Sequence, residues 1–274
     1  MFKIIIMALL IFIGMVGYDS ITDKAQPTTP VQQEQQKVSK HEKSAAMALF
    51  TSLLPPKEEW PSPVHKFYLA FNMDEVIDPI RQNPNWTSLD AMSRDIPQAL
   101  IAIEDHAFYN HGAIAVEGIL RAALANINAG EVVQGGSTLT QQFVKNVFLS
   151  HEQSMERKIE EAVLSLMLED NYSKDEILEL YLNTTYFGAG CTGIKQASRT
   201  YFGKAPSALT LAEAAVIASL PYAPTGLNPL ENPEGCKKRQ LLVLAAMHKY
   251  GMINQGQLAE AKAEKIRLTN GTVM

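Results

Sequence analysis

Apolar residues recur at helical spacing through most of the chain after residue 95. In the segment 154–170, for example, Ile159, Val163 and Leu166 lie three or four positions apart and would share one helix face. No alternation of strand-like and helix-like segments is visible. The pattern predicts a mainly α domain, with helices over residues 95–103, 116–130, 137–148 and 154–170, then helices that begin at 173, end at 202, begin at 210, and begin near 233 and 254.

Helix boundaries are marked by residues that can bond the free backbone groups at helix ends. Asp95 and Ser137 are placed to cap the helices that begin there. The segments 173–176 and 210–213 have the capping-box pattern, in which Ser or Thr is followed three positions later by Glu. Gly203 stands where a helix should stop.

The first part of the chain lacks this helical pattern. Residues 4–18 are apolar and uncharged, and at about 1.5 Å per residue they would span roughly 22 Å. We therefore predict that residues 1–20 are a retained membrane anchor, with a cleaved signal peptide as the alternative. Residues 21–60 are mostly polar and predict a flexible tether. The domain follows over 61–274, beginning with a segment that fits a strand or an extended arm.

Charge and cysteine content narrow the class of protein. The formal net charge of −5 argues against a generally basic surface, so no nucleic-acid partner is expected. Two cysteines fit an oxidising compartment and predict a Cys191–Cys236 disulfide, the alternative being two small buried apolar side chains. No cysteine or histidine spacing predicts a zinc site.

A group of polar and aromatic residues follows the apolar run 96–103. Glu104 and Asp105 end that run, and Phe108 and His111 follow within about two helical turns. Partial burial at the end of an apolar segment raises the pKa of a carboxyl group toward the range of a general base. The alternative is that the two carboxylates only charge a helix end.

The segment 135–146 combines two glycines with many hydroxyl and amide side chains. Glycines let a ligand approach the backbone closely, and the free amides of a helix start favour an anion. The alternative is helix capping beside exposed glutamines. The candidate ligand contacts on this segment are Ser137, Thr138, Thr140, Gln141, Gln142 and Lys145.

A third group lies at the start of the predicted helix 154–170. Arg157 and Glu161 are four positions apart and Lys158 is three before Glu161, so all three share one helix face. The alternative is an exposed row of ion pairs, which is common and contributes little. As a functional group, the two cations and Lys145 would form a pocket for a diphosphate.

Four blocks, in this order and at these intervals, resemble the peptidoglycan glycosyltransferases of glycosyltransferase family 51. The blocks read E-D-H-A-F-Y-N-H, G-G-S-T-L-T-Q-Q, R-K-I-E-E and I-L-E-L-Y-L-N. With further matches the resemblance covers about residues 95–255. The chain has no S-x-x-K motif and leaves no room for a transpeptidase domain, so we expect a monofunctional lipid II polymerase.

The resemblance implies a helical fold with a lysozyme-like lobe and a smaller, membrane-associated lobe. Lipid II and the growing glycan strand would meet in the cleft between the two lobes. The implied location is the outer, periplasmic face of the cytoplasmic membrane, held by a single span, with other cell-wall synthesis proteins as further partners. The only cofactor considered is a divalent cation, Mg²⁺ or Mn²⁺, at the donor diphosphate, and no metal ligand of the protein is assigned.

Matched by motif, the resemblance also implies a role for each candidate residue. Glu104 is the general base that deprotonates the 4-hydroxyl of the acceptor sugar, and Glu161 is the second catalytic carboxylate. The acceptor oxygen attacks the anomeric carbon of the donor, a β-1,4 bond forms with inversion, and the diphospho-lipid leaves. The residues implied around the diphosphate are Lys145, Asn146, Arg157 and Lys158, and those implied along the cleft are Asp105, Phe108, His111, Thr138 and Gln142.

Three positions depart from the family pattern, namely His106, Ala113 and Gln153. Many family members carry Arg at the position of Gln153, so its absence predicts weaker donor binding or a changed metal dependence. Two other functions remain open, a lysozyme-like glycan hydrolase and a non-catalytic scaffold. The cationic group argues against the hydrolase, because cleavage of a neutral glycosidic bond needs no diphosphate site. The presence of both Glu104 and Glu161 argues against the scaffold.

Overall fold

The computed structural model describes residues 68–69, 72–118, 136–149 and 154–274. Within these ranges the chain forms nine complete α-helices and no strand, only the isolated bridges Tyr186–Thr192 and Arg267–Val273. The prediction of a mainly α domain is therefore confirmed. The helices, in chain order, are α1 Asp74–Arg81, α2 Asp95–Glu104, α3 Leu139–Phe148, α4 Met155–Asn171, α5 Lys174–Thr184, α6 Ile194–Phe202, α7 Leu211–Ser219, α8 Pro233–Lys249 and α9 Gln255–Ala263.

The helix boundaries predicted from local sequence are largely confirmed. Ser173 and Thr210 form the expected capping boxes with Glu176 and Glu213. Gly203 ends α6 in the left-handed conformation, with φ of 68°, which glycine adopts without steric cost. These features depend on residues within one helical turn of each other, and such short-range patterns can be predicted from a sequence.

Two predicted caps are wrong. Thr138, not Ser137, caps α3: its backbone is extended and its side chain accepts from the backbone N–H of Gln141. Asp95 is the first residue of α2 rather than its cap, and Arg94, at the cap position, already has helical backbone angles and makes no side-chain cap bond. A cap needs extended backbone geometry at its own position, and the sequence does not specify which neighbour adopts it.

The segment predicted as a strand or an extended arm, residues 64–73, is described only at 68–69 and 72–73. Residues 68–69 are helical, whereas 72–73 belong to no helix. Helix α1 follows, and within it Ile77 is buried and Ile80 packs against the same core. The prediction is therefore wrong at residues 68–69 and stays a prediction for the residues of the segment outside the described ranges.

Two groups of packed helices position the polar residues. Helix α2 packs against α7 and α8, while α3 packs against α4 and α5. Helix α7 lies deepest: every residue from 212 to 219 is buried, and four of these are alanines that permit close helix contact. The groups are joined at the end of α2, where Asp105 accepts a hydrogen bond from the first backbone N–H of α3.

The N-terminal predictions lie outside the described residues. This applies to the anchor at 1–20, the tether at 21–60, and residues 119–130 of one predicted helix, although 116–118 are helical. The chain divides between Tyr68 and Leu69. Among the residues that are described, no helix is both long enough and apolar enough to cross a membrane.

The predicted disulfide is wrong. Cys191 and Cys236 are free thiols, 3% and 0% exposed, and both belong to the apolar core. The nearest polar neighbour of the Cys236 sulfur is the hydroxyl of Ser219, at 3.8 Å. Burial raises the pKa of the Cys236 thiol to about 11, so it stays protonated at neutral pH. The alternative, two small buried apolar side chains, describes both positions.

Candidate active site

Glu104 is the last residue of α2 and its carboxylate is partly buried. The side-chain amide of Gln142 donates a hydrogen bond of 3.1 Å to its Oε2. Among the described residues, none donates a hydrogen bond to Oε1. Burial raises the pKa of Glu104, against the opposing effects of the Gln142 hydrogen bond and the positive charges of Arg239 and Lys145. A carboxylate with one free oxygen and a raised pKa is suited to proton abstraction.

Asp105 and His111 join the loop after α2 to the start of α3. Asp105 Oδ1 lies 2.6 Å from His111 Nε2, and Oδ2 accepts from the backbone N–H of Leu139 at 3.0 Å. His111 Nδ1 lies 2.6 Å from the carbonyl oxygen of Gly112. Both ring nitrogens therefore face acceptors, which favours the doubly protonated imidazolium. The Asp105 hydrogen bond raises the pKa of His111 accordingly. This pair holds the loop in place beside Glu104.

Four residues expected to contact a ligand are buried in this structure, namely Phe108, Thr138, Thr140 and Gln141. The Lys174 ammonium lies 4.4 Å from the ring centroid of Phe108. Thr138 and Gln141 bond one another in the capping box of α3, and Thr138 also donates to the carbonyl oxygen of Ala113 at 2.7 Å. The hydroxyl of Thr140 donates to Glu169 Oε1 at 2.6 Å. The hydroxyls of both threonines thus have partners within the fold, and contact of these four residues with a ligand stays a prediction.

The exposed face of α3 carries Gln142, Lys145 and Asn146 toward the Glu104 side. Gln142 is held at its other end by Tyr181, whose hydroxyl donates to Oε1 of the amide at 3.0 Å. Lys145 and Asn146 are exposed. The charge of Lys145 acts on Glu104, as its effect on the pKa of that residue shows. The predicted grouping of Lys145 with Arg157 and Lys158 stays a prediction.

The second carboxylate, Glu161, is surrounded by cations as the spacing predicted. Lys158 donates to its Oε1, and Arg157 Nη1 lies 3.5 Å from its Oε2. Glu161 is only 2% exposed, so the alternative of an exposed row of ion pairs is wrong. Lys158 also donates to Ser137 at 3.2 Å, which brings the start of α3 into this group. The Nε of Arg157 is buried and has no hydrogen-bond partner within the ranges that the structure describes.

Two residues near Glu104 were missed by the sequence analysis. Tyr181 lies inside the I-L-E-L-Y-L-N block and is 1% exposed. Arg239 lies in the first half of α8, with its guanidinium carbon 4.0 Å from the ring centroid of Tyr222. Its buried Nε has no hydrogen-bond partner among the described residues. The run K-K-R-Q at 237–240 was the only available signal for Arg239. The run does not reveal that Arg239 lies near Glu104, because the two residues are far apart in the sequence.

The described residues contain no group of three or more His, Cys, Asp or Glu side chains arranged for a metal ion. Around Glu161 the neighbours are Lys158, Arg157 and Ser137, and two of these carry positive charge. Such a set attracts an anion rather than a divalent cation. Gln153, whose identity bears on the donor site, lies outside the described residues.

A family model described as Transglycosylase matches residues 73–248. The chain belongs to this transglycosylase family. The family predicted from the four sequence blocks is thereby confirmed. The match spans both Glu104 and Glu161 and extends to α8, so it also includes Tyr181 and Arg239.

Similar proteins agree with this assignment. A putative transglycosylase of Cupriavidus necator is 41% identical over 194 residues, which is 71% of this chain and 84% of that protein. Penicillin-binding protein 1A of Neisseria flavescens is 44% identical over 68% of this chain and 23% of its own length. Penicillin-binding protein 2D of Bacillus subtilis is 45% identical over 66% of this chain and 26% of its own. The chain thus spans about a quarter of these penicillin-binding proteins.

A crystal structure of penicillin-binding protein 1A from Haemophilus influenzae also matches, with 32% identity. The match covers 48% of this chain and 16% of that chain, with a TM-score of 0.34. Because the match covers so little of either chain, the description of the fold rests only on the helices of this chain.

Proposed function

We propose that this chain is a peptidoglycan glycosyltransferase, which polymerises lipid II into β-1,4-linked glycan strands during bacterial cell-wall synthesis. Family membership supports the activity. The observation that carries the proposal is the pairing of two glutamates with opposite surroundings. Glu104 has one carboxylate oxygen with no donor among the described residues and a raised pKa, whereas Glu161 is buried against two cations.

In the proposed reaction, Glu104 Oε1 accepts the proton of the acceptor sugar's 4-hydroxyl. The acceptor oxygen attacks the anomeric carbon of the donor from the face opposite the diphosphate. The bond from that carbon to the diphosphate oxygen breaks, and its electron pair leaves with undecaprenyl diphosphate. The new β-1,4 bond has inverted configuration, and the proton on Glu104 passes to solvent before the next cycle. The attack needs a positioned base, and the bond cleavage needs a stabilised leaving group.

The leaving diphosphate gains one negative charge when its bond to the anomeric carbon breaks, and the protein must stabilise that charge. Arg157 and Lys158 are the groups we assign to it, since Arg offers a forked donor and Lys a point charge. The Nε of Arg157 has no partner within the described chain and supplies a further donor. Ser137, bonded to Lys158, extends the donor surface toward α3. Glu161 holds both cations in place between cycles.

The Mg²⁺ or Mn²⁺ considered for the donor diphosphate does not match this set of side chains. A resident divalent cation needs several oxygen ligands, and in the described part of the chain the carboxylate beside Lys158 and Arg157, that of Glu161, is engaged by both of them. The proposed steps therefore use the charges of the protein alone.

We further propose that the enzyme works at the outer face of the cytoplasmic membrane. The apolar run at 4–18 and the polar segment after it support a single anchor and a tether. A lysozyme-like lobe, a smaller lobe resting on the bilayer, the growing glycan strand and other wall-synthesis proteins as partners belong to the same proposal.

The decisive experiment is polymerisation of lipid II by the purified full-length chain in detergent or vesicles. We expect glycan polymer that a muramidase digests, released undecaprenyl diphosphate, and no cleavage of preformed glycan by this chain. The matched control is the double variant Glu104→Gln with Glu161→Gln, which should form no polymer. Cleavage of preformed glycan without polymerisation would replace the proposal with the hydrolase. If the chain shows neither polymerisation nor cleavage, a non-catalytic scaffold is the remaining function.

A further inference from the structure

A hydrogen-bonded chain of three side chains runs from the core to Glu104. The hydroxyl of Tyr181 donates to Gln142 Oε1 at 3.0 Å, and Gln142 Nε2 donates to Glu104 Oε2 at 3.1 Å. The three residues come from α5, α3 and α2, and Tyr181 is 1% exposed. Tyr181, the most buried of the three residues, is therefore the first donor in this series of hydrogen bonds.

The direction of both hydrogen bonds follows from chemistry. An ionised carboxylate only accepts, so the NH₂ group of Gln142 must face Glu104. The amide oxygen then faces Tyr181, whose hydroxyl has to donate. Burial and the charge of Glu104 raise the pKa of Tyr181, so this hydroxyl keeps its proton throughout the working pH range.

We infer that Tyr181 is a positioning residue for catalysis, which acts through the amide of Gln142 to orient the carboxylate of Glu104. The inference rests on the proposed role of Glu104 as the base. If the amide were free to turn over, its oxygen would face the carboxylate and repel it. With Tyr181 in place, Gln142 occupies Oε2 and leaves Oε1 to the acceptor hydroxyl. Orientation of a base within a fraction of an ångström is worth a large factor in rate.

The test is Tyr181→Phe, which removes one oxygen and keeps the ring that fills the core. We expect kcat to fall about tenfold, the value typical of one lost hydrogen bond near a charge, with KM close to parental. Since the Gln142 hydrogen bond lowers the pKa of Glu104, its weakening should move the acid limb of the pH–rate profile to higher pH. The other charges that act on Glu104 are those of Arg239, Lys145 and Asp105, and this variant leaves all three unchanged.

The matched control is Tyr201→Phe. Tyr201 is also fully buried, and its hydroxyl donates to the carbonyl oxygen of Phe187 at 2.7 Å, outside the site described above. Both variants should lower Tm by a similar amount, and only Tyr181→Phe should change kcat and the pH profile. A purely structural role for Tyr181 would give the two variants the same kinetics.

A double-mutant cycle with Gln142→Ala tests whether Tyr181 acts through Gln142. In the Gln142→Ala background, Tyr181→Phe should cause no further loss of kcat, and fully additive losses would overturn the inference. Parental kinetics for Tyr181→Phe beside an inactive Glu104→Gln would remove the positioning role and keep the proposed function. Parental activity of Glu104→Gln would instead remove the proposed function itself.

Discussion

The two glutamates of the site are the same side chain in opposite surroundings. Glu104 receives one neutral amide hydrogen bond and keeps one oxygen without a donor from the described chain. Glu161 is bonded by Lys158 and approached by Arg157, and is 2% exposed. Burial in the first environment raises the pKa of Glu104, whereas the second places the Glu161 carboxylate against two cations. Packing alone thus divides one functional group into two roles.

The two surroundings also arise over different distances along the chain. Glu161 obtains its cations from its own helix, at spacings of three and four. Glu104 obtains its neighbours from three other helices, through Gln142 on α3, Tyr181 on α5 and Arg239 on α8. The surroundings of Glu161 are therefore a local feature of the sequence, whereas those of Glu104 are created by tertiary contacts.

The largest effect should come from Glu104→Gln. Glutamine has nearly the same shape but cannot accept the proton, so kcat should fall on the order of 10²–10⁴-fold. Affinity for the lipid donor should stay near parental. Polymer formation and donor binding, measured on the same preparation, check both parts. Polymerisation at the parental rate would show that another group is the base.

Glu161→Gln should reduce activity less than Glu104→Gln does, but it should also weaken donor binding. Lys158 and Arg157 lose their partner and no longer hold one arrangement, so kcat/KM should fall roughly 10–100-fold and donor affinity should weaken as well. Glu156→Gln, on an exposed position of the same helix, is the matched control and should behave as parental. Unchanged donor affinity in Glu161→Gln would separate Glu161 from the diphosphate.

Lys145→Gln should alter the pH profile more than the plateau rate. Its positive charge lowers the pKa of Glu104, so its removal raises that pKa further. Because the base works when deprotonated, activity on the acid limb should fall about threefold relative to the plateau, as expected for one exposed charge. Rates measured from pH 5 to pH 9 check this. An acid limb at the parental position would show that Lys145 does not act on Glu104.

The smallest effect concerns stability, and its sign differs between the two glutamates. Burial raises the folded-state pKa of Glu104 above its ordinary value of 4.5, so folding favours the protonated form and stability is lost as pH rises through that range. Glu104→Gln should therefore raise Tm at pH 7 by about 2 °C. Glu161→Gln should lower Tm because Arg157 and Lys158 lose the buried carboxylate that they contact.

Thermal unfolding at pH 7 and pH 4 measures this difference. At pH 4 the Glu104 carboxyl is largely protonated in both the folded and the unfolded state, so the gain from Glu104→Gln should shrink. A lower Tm for Glu104→Gln at pH 7 would contradict the view that Glu104 is a destabilising, functional carboxylate.

The sequence by itself determined what depends on near neighbours. The sequence predicted the helices that are described after residue 95, the capping boxes at 173–176 and 210–213, and the shared face of Arg157, Lys158 and Glu161. Residues 119–130 of one further predicted helix lie outside the described residues. The four motif blocks also predicted the family. In each case the residues involved lie within about one or two helical turns, where spacing in sequence sets distance in space.

Tertiary structure alone decided which side chains face the site and which fill the core. Phe108, Thr138 and Gln141 are buried, the two cysteines are free, and Tyr181 reaches Glu104 through Gln142. The two hydrogen bonds of that series join residues 39 and 38 positions apart, and no periodicity encodes such contacts. They arise because α2, α3 and α5 all bury apolar side chains in one core, which brings a tyrosine of that core within two hydrogen bonds of Glu104.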